Sequence, residues 1–308
     1  METYDVIIIG SGPAGLTAGL YTARAGLRTL VLEKEHWGGL VANIDLIENY
    51  PGFSDGVRGI ELTQSMMKQA MSYRVEFQLT EVTGIELNED HKLVKTTQGN
   101  YWGKTIIVAS GARPKKLGVP GEEEFKGKGV AYCALCDGDS FVNQVVAVAG
   151  GGDAGITEGL CLARLASKVI IIELMPQLTA TDILQRRALA NVKMEIHRGT
   201  KIKAVVGDSR VRGLELLDVR TGRVSTLEVD GLFVYIGLEP NTDYLKGILP
   251  LDDEGQILVN ERLETQVPGC FAAGDVRCNS KRQVITAAGD GATAALAAQR
   301  FLMELRNE

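Results

Sequence analysis

The sequence is poor in the features that mark several large protein classes. Only 8 of its 308 residues are proline, and its glycines follow no G-x-y period, which excludes collagen-like and low-complexity chains. Aromatic residues make up 6%, too few for the stacking platforms that hold single-stranded nucleic acid. Positive charge is not in excess: 33 Lys and Arg face 39 Asp and Glu, for a net charge of -6. With no basic run either, nucleic acid and anionic membrane are poor partners. No apolar run approaches the ~18 residues of a membrane span. The chain opens without a basic n-region or a signal-type apolar core, so a cytoplasmic location is the expectation. Histidines are scarce and scattered (His36, His91, His197), and the five cysteines (Cys133, Cys136, Cys161, Cys270, Cys278) are an odd number in a long chain. That is not a secreted disulfide framework.

Glycine, by contrast, is abundant. There are 36, about 12% against a typical ~7%, and they serve turns where the backbone approaches something closely. At ~150 residues per domain the length suggests two domains.

The glycines cluster in two copies of one pattern. Residues 4–9 form an apolar run of strand length, GSGPAG follows at 10–15, residues 16–26 have helical spacing, and a second apolar run at 28–32 ends on Glu33. In a dinucleotide fingerprint Gly10 makes the tight turn, Gly12 lets the backbone approach a pyrophosphate, and Gly15 lets helix pack on strand. The helix N-terminus presents free N–H groups to the phosphates, and Glu33 can accept from a ribose. The pattern recurs: a strand at 144–149, Gly150-Gly151-Gly152-Asp153-Ala154-Gly155, a helix at 156–166, and a strand at 168–172 ending on Glu173. Eighteen residues separate Gly15 from Glu33 and also Gly155 from Glu173. Two full units with one interval predict two dinucleotide sites. Elsewhere, strands run into tight turns at 105–112 and 232–241, residues 113–129 read as a linker, and an alanine-rich helix is predicted over 284–305.

Cys133-Ala134-Leu135-Cys136-Asp137 lies fourteen residues before Gly150. A structural zinc site needs four ligands, and no second cysteine pair or His pair has ligand spacing, so no metal is expected. Two inert buried thiols are a second reading. The third, a redox dithiol, is favoured: CxxC brings two sulfurs close enough for a readily opened disulfide, and Asp137 can manage a proton as a thiolate leaves or forms. A flavin would connect hydride chemistry on a nicotinamide to this disulfide.

With these residues in view, the chain resembles low-molecular-weight thioredoxin reductase over almost its whole length. GSGPAGLTAGLYTARAG, GGLVANIDLIENYPGF (38–53) and ASGARPKKLGVPGE (109–122) are similar to the FAD half of that family. GVAYCALCDG (129–138) is similar to its active-site segment, and AAGDVRCNSKRQVITAAGDGATAA (272–295) to its C-terminal FAD segment. The resemblance implies an α/β fold of two Rossmann-like, doubly wound, three-layer domains of the pyridine nucleotide-disulfide oxidoreductase type. The FAD domain would comprise 1–115 and 245–308, with a nicotinamide domain carrying the CxxC inserted at 116–244, and the chain would form a homodimer. Carried over, Cys136 would face the flavin, Cys133 would attack the disulfide of thioredoxin or a thioredoxin-like protein, and Asp137 would be the acid/base. FAD would be held by Gly10, Ser11, Gly12, Pro13, Ala14, Gly15, Glu33, Lys34, Gly38, Gly39, Leu40, Asn49, Val82, Gly111, Gly274 and Asp275, with Asp275 on the ribityl chain and Arg282, Gln283 and Val284 near the flavin. The nicotinamide nucleotide would be held by Gly150, Gly152, Asp153, Ala154, Gly155 and Glu173.

The sequence departs from the family at one informative place. Members that use NADPH carry a basic HRRxxxR-type segment after the second fingerprint to clamp the 2′-phosphate. Here residues 173–179 read ELMPQLT without a positive charge, and the first basic residue along the chain is Arg186. Glu173 suits a free ribose hydroxyl and repels a phosphate. Two unit charges ~4 Å apart interact by about 4 kcal/mol at an effective dielectric of ~20, and a quarter of that shifts preference several-fold. NADH is therefore expected over NADPH. Leu40 stands where the family often has glutamine. Relatives that lack the clamp and take electrons from reduced ferredoxin or a deazaflavin are the nearest alternative. A non-catalytic dinucleotide-binding redox sensor is an alternative of another class, and the CALCD segment argues against it.

Overall fold

The computed structural model describes residues 3–88 and 91–307. The chain divides into two compact units, residues 1–113 with 239–308, and residues 114–238.

The first unit is built on a strand, Thr3–Ile9, that is apolar along most of its length because both of its faces are covered. Thr29–Glu33 and Gly99–Val108 flank it in parallel. Glu76–Leu79 extends one side, Cys270–Ala272 pairs with Gly99–Val108, and Lys92–Thr96 and Val82–Leu87 continue antiparallel. Val6 and Ile8 pack with Ala14 and Ala18 of the helix Pro13–Arg24, and with Ala294, Ala298 and Leu302 of the long helix Val284–Asn307. Ile7 and Ile9 face the other way, onto Ile85, Val94, Leu245 and Leu249. Each such fully buried side chain contributes about 1.5–3 kcal/mol. The layers are helices, parallel sheet and antiparallel strands.

The second unit repeats this plan. Its sheet runs Met194–His197, Lys168–Ile172, Val145–Ala149, Gly231–Val234, Val130–Ala131, all parallel. Val146, Val148 and Ile171 pack with Ile156 and Leu162 of the helix Asp153–Leu162. Ala147, Ile170 and Leu232 face Ile202, Val211 and Leu214 of an antiparallel three-stranded sheet, Thr200–Gly207, Val211–Asp218 and Val224–Glu228.

Ala112–Pro114 and Leu238–Pro240, the two passages of the chain between the units, pair as a two-stranded sheet. The return passage lies at 238/239, earlier than the 244/245 expected from sequence. The reason is that Asn241 already belongs to the first unit, donating its N–H to the Gly111 carbonyl (3.0 Å) and its side-chain amide to the Ser110 carbonyl (2.8 Å). Residues 113–129 are not a free linker. Phe125 is buried in the second unit's core, and Glu122, also buried, accepts from the N–H groups of Leu117 and Gly118. Both fingerprint helices begin three residues ahead of their predicted starts, so that Pro13 and Asp153 lie in the first turn. Proline at that position loses only an N–H that has no helical partner.

Candidate active site

In the first unit, Gly10 (φ 106°) turns sharply out of the first strand. A Cβ there would lie 2.2 Å from the Ala109 carbonyl oxygen, and one on Gly15 would lie 1.9 Å from the Gly10 oxygen. Both positions therefore demand glycine by contact. Gly12 is different: nothing lies within 4 Å of a Cβ placed there. It is the N-cap of Pro13–Arg24, and no side chain caps that helix. Open space before uncapped N–H groups is what an incoming phosphate requires. The Glu33 carboxylate accepts from the Ser11 N–H (2.9 Å) and hydroxyl (2.7 Å), and from the N–H groups of Lys34 (2.8 Å) and Glu35 (3.2 Å). A carboxylate offers about four acceptor sites, and strand end and turn are locked together through them.

Of the remaining predicted flavin residues, some touch this turn and others make their contacts elsewhere in the first unit. Gly38 donates to the Ser11 carbonyl and hydroxyl (both 3.2 Å), and Gly39 stacks over Gly12, where a Cβ would come 3.3 Å from its Cα. Leu40 follows in the Gly39–Asn43 turn of 3-10 helix and is exposed. Gly274 and the long helix reach Ala14: a Cβ on Gly274 would meet the Ala14 methyl at 2.9 Å, and one on Gly291 the Ala14 oxygen at 2.1 Å. Asn49 donates to Gln283 (3.0 Å), and Val284 opens the long helix beside that pair. Lys34 pairs with Glu81, next to Val82. Gly111 holds the chain's return through Asn241. Arg282 (φ 54°) approaches Glu254 at 3.6 Å.

Asp275 bears most directly on what this cradle can hold. Burial pushes its carboxyl above the usual aspartate range, and the Ser280 hydroxyl (3.0 Å) is its only hydrogen-bond donor among the described residues. A largely buried carboxyl with spare acceptor capacity calls for a hydroxyl-bearing ligand. Arg277 and Asp290 fix its backbone. They form a half-buried bidentate pair (both contacts 2.8 Å), and Asp290 also accepts the Gly274 N–H (3.0 Å). The cradle fits an FAD-sized dinucleotide: free N–H groups for phosphate, a carboxylate at the strand end, and Asp275 for a polyol.

The second unit reproduces the fingerprint almost contact for contact. Gly150 (φ 113°) would clash with the Tyr235 carbonyl at 2.2 Å, and Gly155 with the Gly150 oxygen at 2.0 Å. Gly152 is again an N-cap without a side-chain cap. Glu173, 8% exposed, accepts from the N–H groups of Gly151 (2.5 Å) and Met175 (2.8 Å). Asp153 accepts the Thr181 N–H (2.6 Å), and the N–H groups of Thr179 and Ala180 bond the Gly151 carbonyl (both 3.1 Å). The 175–181 loop is thereby drawn across the fingerprint. Ala154 stands exposed in the helix's first turn.

One neighbour escaped the search along the chain. Glu173 donates its N–H to the His197 carbonyl (2.8 Å), and Met175 accepts from Gly199 (3.0 Å). The Arg198 backbone thus lies beside the Glu173 turn. Its side chain is exposed and forms no ion pair among the described residues. Only strand pairing could reveal this, since 24 residues of chain intervene between Glu173 and Arg198.

Cys133 and Cys136 are joined as a disulfide, with Cα atoms 5.3 Å apart. Cys133 caps the short helix Ala134–Asp137, its sulfur accepting the Cys136 N–H at 3.1 Å. A sulfur at a helix N-terminus is stabilised as thiolate. Partial desolvation raises the Asp137 carboxyl above the usual range, which suits a proton donor. Two tyrosines that the sequence reading did not single out flank the dithiol. Tyr132 donates its hydroxyl to Glu122 (2.8 Å), and the Tyr235 hydroxyl accepts the Ala134 N–H (2.8 Å). Among the other cysteines, the Cys161 sulfur accepts from the Arg164 guanidinium (3.2 Å), and burial pushes the Cys270 thiol up to about 12. No group of three or more metal-binding side chains occurs among the described residues, and none of their helices is long and apolar enough to cross a membrane.

Comparison with known proteins agrees with this geometry. The profile of the pyridine nucleotide-disulphide oxidoreductase family matches residues 4–292. The chain is 42% identical over 306 residues to a thioredoxin reductase of Bacillus subtilis, covering 99% of this chain and 96% of that one. It is 43% identical over 311 residues to a thioredoxin reductase of Treponema pallidum, covering 100% of both. A crystal structure of Lactococcus lactis thioredoxin reductase in the FR conformation superposes with a TM-score of 0.96 at 41% identity, over 98% of this chain and 99% of the other.

Proposed function

Since the chain belongs to the pyridine nucleotide-disulphide oxidoreductases, as a flavoprotein of the low-molecular-weight thioredoxin reductase type, we propose that it takes electrons from NADH in preference to NADPH and delivers them through Cys133–Cys136 to a thioredoxin-like disulfide. The unit 1–113 with 239–308 binds FAD, the unit 114–238 binds the nicotinamide, and the chain works as a cytoplasmic homodimer. When bound, FAD supplies the conversion of a hydride's two electrons into disulfide reduction. The FAD-binding turns, Glu33 and Asp275 hold and orient it, as the Asp275 acceptor and the open Gly12 support.

The dithiol residues do the remaining chemistry. After two-electron reduction of the disulfide, the Cys133 thiolate, favoured by the Cys136 N–H, attacks one sulfur of the partner's disulfide. A mixed disulfide forms, and the released partner thiolate takes a proton from Asp137. The Asp137 carboxylate then takes the Cys136 thiol proton, and the Cys136 thiolate attacks the Cys133 sulfur, which restores the intramolecular disulfide. The second partner thiolate leaves and takes a proton from solvent, freeing the partner as a dithiol.

The observation that carries the donor preference is the Glu173 carboxylate. It is fixed by two backbone N–H groups at the place where a ribose 2′ substituent arrives in this motif. Arg198 is an opposing cation that strand pairing brings beside this turn, short of the several arginines of a phosphate clamp. The test is anaerobic stopped-flow reduction of the bound flavin, with NADH and NADPH in separate runs. Faster bleaching at lower concentration is expected with NADH. Equal response to both removes Glu173 as selector. No response to either overturns the nicotinamide reading and directs the search to reduced ferredoxin or a deazaflavin.

A further inference from the structure

We propose that Tyr235 and Glu158 are positioning residues for the dithiol: the Tyr235 phenol, held by the Glu158 carboxylate, caps the helix that carries Cys136 and biases the cysteine pair toward the disulfide. The inference rests on the disulfide-reductase reading above and assigns a role to two residues that the fingerprint does not require.

A helix of four residues, Ala134–Asp137, does not persist by its own hydrogen bonds. Its N-terminal donors need outside acceptors. One comes from Cys133, whose sulfur takes the Cys136 N–H; the other comes from Tyr235, whose hydroxyl takes the Ala134 N–H at 2.8 Å. In the disulfide form the covalent bond also closes this turn. In the dithiol form that bond is gone, the turn is free to open, and the tyrosine cap is worth less than in the closed disulfide form.

Tyr235 is well anchored for the task. Its N–H bonds the Ala149 carbonyl (2.8 Å), and its own carbonyl abuts Gly150. Its phenol lies beside the Glu158 carboxylate, and burial together with that carboxylate raises the phenol well above the ordinary tyrosine range and keeps it protonated. Glu158 is only 8% exposed and lies on the fingerprint helix Asp153–Leu162.

The first unit serves as an internal control. Where Tyr235 abuts Gly150, Ala109 abuts Gly10. Three residues beyond Gly155 stands Glu158, and three beyond Gly15 stands Ala18, fully buried. The unit without a dithiol therefore has alanine at both positions, and the unit with the dithiol has a hydrogen-bonded tyrosine and glutamate.

The consequence concerns an equilibrium. Without the phenol, the closed disulfide form leaves the Ala134 N–H without its acceptor, whereas the opened dithiol form can turn that N–H to water. Loss of the cap therefore favours the dithiol. The test equilibrates the FAD-loaded enzyme with reduced glutathione and glutathione disulfide: one disulfide and two thiols exchange for two thiols and one disulfide, and acid quench with alkylation counts the Cys133 and Cys136 thiols by peptide mass. Tyr235→Phe is expected to shift the midpoint about tenfold toward the dithiol, within the range for an unpaired buried donor. Glu158→Ala is expected to shift it in the same direction, the double variant no further than the larger single one, and Glu158→Gln, which keeps an acceptor oxygen, by less than either. Flavin content and melting temperature identify any variant that fails to fold, and Glu158→Ala then carries the test. A midpoint for Tyr235→Phe equal to wild type, or additive effects in the double variant, overturns the inference. A wild-type pair that does not titrate at all sinks the disulfide-reductase reading as well, and is told apart by that fact.

Discussion

At the scale of single residues, Asp137, Glu173 and Arg198 carry the sharpest consequences. Desolvation raises the Asp137 carboxyl, so its proton persists to higher pH than on an ordinary aspartate. The donor form is complete below that raised pKa and is lost as pH rises through it. Thioredoxin reduction should therefore fall along this limb in the wild type. Asp137→Asn is expected to lower turnover by about 10²-fold, the low end of what a general acid contributes, and to abolish the limb; steady-state pH profiles with thioredoxin check both. The same shift means that the folded state binds this proton more tightly than the unfolded chain does, so the contribution of Asp137 to stability declines as pH rises through the folded pKa. For the donor, Glu173→Gln is expected to narrow the NADH/NADPH ratio of kcat/KM several-fold, and Arg198→Ala to widen it by depressing NADPH alone. A ratio indifferent to both changes would falsify the electrostatic account.

At the scale of elements, the close approach of the long C-terminal helix to the first fingerprint helix invites a paired test. A Cβ on Gly291 would lie 2.1 Å from the Ala14 oxygen, whereas one on Gly289 meets nothing within 4 Å. Gly291→Val should cost about 1–3 kcal/mol or more, as overpacking does, and release flavin, because Ala14 and Gly274 sit at the same contact. Gly289→Ala should raise stability by about 0.5–1 kcal/mol through helix propensity alone. Thermal unfolding with and without added FAD separates the two effects. The elements themselves were largely readable from the chain. Apolar runs of five to seven residues followed by a glycine turn announce strands, and the two matching Gly-to-Glu intervals located both carboxylates. Contacts between distant segments were not readable. Nothing near Glu173 in the chain announces Arg198. Tyr235 reads as one more apolar member of a buried strand, and Glu158 reads as the polar face of a helix that is in fact covered there. The segment 113–129 misled for a related reason: its Gly and Pro content signals turns, but only packing shows that Phe125 and Glu122 bind those turns to the second unit's core.

At the scale of the whole molecule, two units share the same contacts at their fingerprints, and each carries its own core. A chain in which a short Gly-Ser segment replaces 114–238 is expected to fold and to retain FAD. It should lose reduction by nicotinamide and all thioredoxin reduction; flavin absorbance after gel filtration reports the first property and turnover assays the others. Failure to bind flavin in a folded protein would show that the first unit depends on the second. The junctions give that experiment its footing. Within the second unit, Lys115 donates its N–H to the Gly237 carbonyl at 3.0 Å, so its two ends emerge side by side. Within the first, Ser110, Gly111 and Asn241 tie the flanking segments together by hydrogen bonds of 2.8–3.0 Å that involve no residue of the insert. Host and guest are each stitched shut at the same doorway. A guest secured in that manner is a cartridge: units of different donor specificity are expected to exchange between relatives at 113/114 and 238/239, and recombination libraries cut at those two positions should yield folded chimeras far more often than cuts placed anywhere inside either sheet.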